Sequence, residues 1–197
     1  RGADRSVKIL GDGTVAHPPH PLVQQATREF FRSIPEHIWE RVLFENIRLH
    51  ELLHAAFELR QITPQIALPD YLVKELPAMV AEWALAPSEQ AARFFFGQRF
   101  TTTRLQERED PLVVTSHVPA FNFFIGWARE QLGVQDDTVE GIVAHILSHP
   151  VAFQDLARRF YTEHFGDLAQ QLSQRDSDGV IRRALALRKE MMVAIMA

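Results

Sequence analysis

The stretch WERVLFENIRLHELLHAAF, Trp39 to Phe57, decides how this chain is read. Val42, Leu49, Leu53 and Ala56 recur at helical spacing behind Ile38, and Trp39, Leu43, Ile47 and Phe57 widen the apolar stripe. Neither glycine nor proline interrupts it. Ser33-Ile34-Pro35-Glu36 supplies a start, with Ser33 as cap, Pro35 in the first turn and Glu36 at the capping-box position. Thr63-Pro64 supplies the stop, so the pattern predicts one long helix from about Ile34 to Ile62. A helix with one apolar stripe has to bury it against something, and the neighbouring segments are helical too.

Pro21 can open a first helix over Leu22 to Arg32, with Val23, Ala26, Phe30 and Phe31 as its buried side. Tyr71 to Ala86 is helical in pattern and carries Pro77, which predicts a kink or two short helices. Ser88 to Phe96 reads as a short helix closed by Gly97, and Thr101 to Val118 as a surface loop. Three more helical stretches follow: Pro119 to Leu132 before Gly133, Thr138 to Ser148, and Val151 to Phe165 before Gly166. The last runs from Val180 to the end. Ahead of all of these, Gly11-Asp12-Gly13 between two β-prone runs suggests a small hairpin. The expected fold is therefore mostly all-α, an orthogonal or bundle-like domain of about eight helices over residues 21–197, with residues 1–20 as a hairpin arm.

Composition narrows the function classes. Of 197 residues, 46% are hydrophobic and 23% charged, which suits one globular domain with a sizeable core. The net charge of −4 argues against a nucleic-acid partner, whose binders usually carry a basic surplus or stripe. No cysteine is present, so disulfide scaffolds, thiolate zinc sites and a cysteine nucleophile are excluded. That composition fits the cytoplasm, the expected location, without forbidding the periplasm. No apolar run approaches the length of a membrane span.

One set of residues carries definite chemistry. His50-Glu51-Leu52-Leu53-His54 spells H-E-x-x-H, with the two histidines one turn apart on the same helix face. In that signature two imidazoles hold zinc and the glutamate is the general base. Over this pentapeptide the chain resembles the zincin metallopeptidases, which implies His50 and His54 as ligands and Glu51 as base. A gluzincin-like third ligand would be Glu75 or Glu82, on the following helical stretch. The chain departs from those families in its charged Arg48 before the motif, in lacking Gly-x-x-His after it, and in offering almost no strand to hold a peptide.

A second pair, His145 and His149, has Glu140 upstream and Asp155 downstream. Pro150 pulls His149 away from helical geometry, so this pair reads as a helix corner rather than a site. The last helix presents Ile181, Leu185, Met192 and Ile195 on one side, a Met-bearing face that suits either the core or an adaptable contact with another chain. On the residues alone, the leading expectation is a non-catalytic helical module that binds another protein or subunit. The alternative is a zinc-dependent hydrolase built on His50, Glu51 and His54.

Overall fold

The computed structural model describes residues 20–58, 68–109, 117–148 and 153–166. Among them there are seven α-helices and no strand: α1 (Pro21–Ser33), α2 (Trp39–Glu58), α3 (Asp70–Ala84), α4 (Glu89–Glu109), α5 (His117–Leu132), α6 (Val139–Ser148) and α7 (Phe153–Phe165). A single 3-10 turn, Glu36–Ile38, leads into α2. The all-α expectation holds, with seven helices where about eight were expected. The hairpin arm and the helix from Val180 lie outside the described residues.

The ends of these helices follow from their sequences. Pro21 opens α1, and His20 accepts a hydrogen bond from the Leu22 N–H at 3.3 Å. Thr138 caps α6 by accepting from the Gly141 N–H at 3.0 Å. Gly133 and Gly166 stop α5 and α7 in the left-handed region, at φ of 62° and 92°, where a side chain would be strained.

Three boundaries differ from the sequence expectation. Ser33, expected to cap the long helix, is the last residue of α1, and α2 begins at Trp39 after the 3-10 turn, not at about Ile34. α3 runs unbroken through Pro77, although a proline inside a helix removes one backbone hydrogen bond. The helix is held by its surroundings instead, since Leu76, Ala78, Met79, Val80 and Ala81 are all fully buried. α4 runs through Gly97 to Glu109, taking in residues expected to form a loop. Gly97 is there for close approach rather than as a stop. A Cβ on it would lie 3.2 Å from Cγ1 of Val23, where α1 crosses α4.

α3 is the central element, packed against α2, α4, α5 and α7. Its Trp83 is fully buried, with Phe96 of α4, Phe124 of α5 and Phe153 of α7 at ring distances of 5.3, 5.0 and 5.7 Å. The run Phe94-Phe95-Phe96 is buried throughout, because two different neighbours receive it. Phe94 stacks on Phe30 of α1 at 4.3 Å, with Phe95 beside it, whereas Phe96 faces Trp83 and Phe121 on the other side. α2 lies along α3 and buries Val42, Leu49 and Leu53, with Ile38 of the preceding turn buried as well. Ile47, expected to widen that stripe, is instead 59% exposed.

Candidate metal centre between α2, α3 and α5

On α2, Asn46, His50 and His54 follow one another at four-residue intervals and share one face. On α3, Glu75 and Glu82 are seven residues apart, two turns, and share the opposing face. The two rows meet in antiparallel order: Asn46 and His50 reach Glu82, and His50 and His54 reach Glu75. Helix period and helix pairing together bring the motif's histidines to the acids that follow them.

Three potential ligand atoms converge. The Nε2 atoms of His50 and His54 are 2.9 Å apart, and they lie 3.6 Å and 3.4 Å from Oε2 of Glu75. Bond lengths of about 2.0–2.2 Å around a tetrahedral zinc ion place neighbouring ligand atoms about 3.3–3.6 Å apart. The two sides to Glu75 match this, while the third, 2.9 Å, is that of a hydrogen bond between the two imidazoles. All three ligand atoms lie within 4.8 Å of one another, and no other such group of histidine, aspartate and glutamate occurs among the described residues.

Oε2 of Glu75 is the informative atom. It is buried, and three imidazole nitrogens approach it: those of His50, His54 and, at 2.9 Å, Nε2 of His117 at the start of α5. The shortest of these contacts, to His117, is within hydrogen-bonding distance. A buried carboxylate oxygen ordinarily has a donor aligned on it. An oxygen ringed by imidazoles fits the donor set of a metal ligand.

Behind the triangle stands Glu82, buried to 7% exposure. Its Oε2 lies 3.2 Å from Nδ1 of His50 and accepts from Arg99 of α4 at 3.4 Å, while Oε1 accepts from the Asn46 amide. A carboxylate on the far nitrogen of a histidine fixes the tautomer and turns Nε2 toward the site, the arrangement that accompanies metal-ligating histidines.

The charges are strongly coupled. Burial pushes the His50 pKa down, but Glu75 and Glu82 outweigh it and raise the value to about 9. Burial pushes the Glu75 carboxyl up, and the contacts with His117, His50 and His54 reverse this and hold it far below the usual carboxylate range. Glu82 is likewise pushed up by burial and brought below its ordinary value by His50, Arg99 and Asn46.

Each residue singled out in the sequence now has a place. His50, His54 and Glu75 come together, and Glu82 stands behind His50. Glu51 is exposed on α2 and does not belong to the converging group. Arg48, which departs from the zincin pattern, pairs with Glu45 at 3.0 Å and lies over the Phe44 ring. His145 sits part-buried on α6 outside the converging group, while Glu140 pairs with Arg104 and Asp155 with Arg158. His149 and the surface of Ile181, Leu185, Met192 and Ile195 lie outside the described residues. Asn46, Arg99 and His117 are the members that sequence reasoning missed. Asn46 was within reach of it, four residues before His50, but the other two come from distant helices with no spacing signal.

Compared with known protein families, curated proteins and solved structures, the chain matches none, and the site is read from its own geometry.

Proposed function

We propose that this protein is a metal-dependent enzyme, most concretely a zinc-dependent hydrolase, whose ion is held by His50, His54 and Glu75. The observation that carries this reading is the convergence of three ligand atoms, from His50, His54 and Glu75, within 4.8 Å of one another. Two histidines and one glutamate are the ligand set of catalytic zinc sites that keep a fourth position open. Zinc in such a site supplies Lewis acidity and a bound water whose pKa falls to about 7.

The chain's own groups supply the rest. Glu82 accepts a hydrogen bond from Nδ1–H of His50 and keeps Nε2 turned inward. Arg99 and Asn46 hold Glu82 in turn. Glu51, exposed one residue beyond His50, is the group to which the H-E-x-x-H signature gives the general base. The interaction-module reading rests on the surface of Ile181, Leu185, Met192 and Ile195, which lies outside the described residues.

The test is metal analysis of tag-free protein, with zinc titration after chelation. About one ion per chain is expected in the wild type, lost in His50→Ala and in Glu75→Ala. Wild-type protein that retains no transition metal and binds no added zinc overturns the proposal. Non-haem iron(II) uses the same donor types, so iron is measured alongside zinc.

A further inference from the structure

His117 belongs to this site without belonging to the converging triangle. It is the first residue of α5, about 60 positions from the H-E-x-x-H motif, and its side chain is 30% exposed. Its Nε2 is the closest nitrogen to Oε2 of Glu75, at 2.9 Å, against 3.4 Å for His54 and 3.6 Å for His50. Its ring lies nearly parallel to that of His50, with centroids 6.3 Å apart.

Two ligand atoms on one first-row ion are at most about 4.2 Å apart, twice a bond of about 2.1 Å. The ligand atoms of His50, His54 and Glu75 satisfy a limit of 4.8 Å mutually, and His117 falls outside that set. It therefore touches a ligand from outside the converging set. Resting on the metal-site reading, we infer that His117 is a positioning residue: its Nε2–H donates to Oε2 of Glu75 on a lone pair that the ion leaves free. It thereby fixes the carboxylate in the plane the ion needs. Glu82 performs this service for His50, and His117 performs it for Glu75. The centre then has a carboxylate oriented by an imidazole on one side and an imidazole oriented by a carboxylate on the other. α5 is thereby tied into a site whose ligands all come from α2 and α3.

Partners of this kind are worth about 10–100-fold in metal affinity. The experiment titrates zinc and cobalt(II) into chelated wild type and into His117→Ala, His117→Asn and His117→Gln, with cobalt visible bands and far-UV circular dichroism recorded. Glutamine carries a donor at the reach of Nε2, whereas asparagine is one methylene too short. Affinity is expected to fall about tenfold or more in the Ala and Asn variants and to recover in Gln to within about threefold of wild type. The cobalt band shape should stay unchanged, since the donor set is unchanged. Equal affinity in wild type and Asn overturns the inference and leaves the metal site standing. A changed cobalt band in Asn and Gln alike also overturns it, by making His117 a ligand. Wild type that binds neither ion overturns both readings together. The Asn and Gln pair keeps the test decisive should the alanine variant fail to fold.

Discussion

At the scale of single residues, Glu75 and Glu82 matter most, two acids that burial alone would push toward the neutral form. Both are held ionised by imidazole and guanidinium neighbours. A carboxyl whose folded pKa lies below its ordinary 4.5 contributes stability that is present above that pH and lost as pH falls. His50 works in the opposite sense. Its contribution in the metal-free protein is full below its ordinary 6.5 and is lost as pH rises through about 9. Chelated protein should therefore be most stable between about pH 5 and 8, with the urea midpoint falling on both sides. A midpoint that keeps rising to pH 10 would contradict the charged cluster. Glu82→Gln tests the same network with little change in volume. It should weaken zinc binding about 10–100-fold by removing the carboxylate from Nδ1 of His50, as read by competition with a chromophoric chelator.

Among the elements, the helix ends show how the bundle is locked. Glu89 stands in the first turn of α4 and accepts from the N–H groups of Phe153 at 2.6 Å and Gln154 at 3.0 Å. One carboxylate thus caps α7 while complementing the positive end of α4. α7 returns the contact, for the Gln154 amide donates to Ala86 O and Arg158 Nε donates to Ala84 O at 3.2 Å, near the C-terminus of α3. Glu89→Ala should cost about 1–2 kcal/mol in chemical denaturation, in line with the loss of a helix cap. A loss under about 0.3 kcal/mol would mean that solvent satisfies those amides as well. Helix existence was legible from period and caps, since each depends on neighbours a few residues away. The run of α4 through Gly97 was not, because its cause is Val23 on another helix.

For the molecule as a whole, the candidate centre ties two helices of the bundle by ligands and a third through His117, so an ion bound there should stabilise the folded chain. At a free zinc concentration 100 times the dissociation constant, the gain is about 2.7 kcal/mol, or about 5–10 °C in Tm for a domain of this size. Differential scanning calorimetry of chelated protein with and without zinc checks this, and a shift that persists in His54→Ala would place the ion elsewhere. Trp83 and the phenylalanines around it form the other fixed point of the structure. Phe124→Ala, which empties a fully buried ring position, should cost about 3–5 kcal/mol in urea denaturation. No helix among the described residues is long and apolar enough to cross a membrane. By itself the sequence determined the helical class, the face shared by His50 and His54, and the two acids within reach, because period and capping are local properties of the chain. Only the tertiary structure decided that Glu75 meets both histidines, that Glu82 turns His50, and that Arg99 and His117 join them. Those contacts depend on how α2, α3, α4 and α5 pack, and that packing is set by apolar burial summed over the whole core.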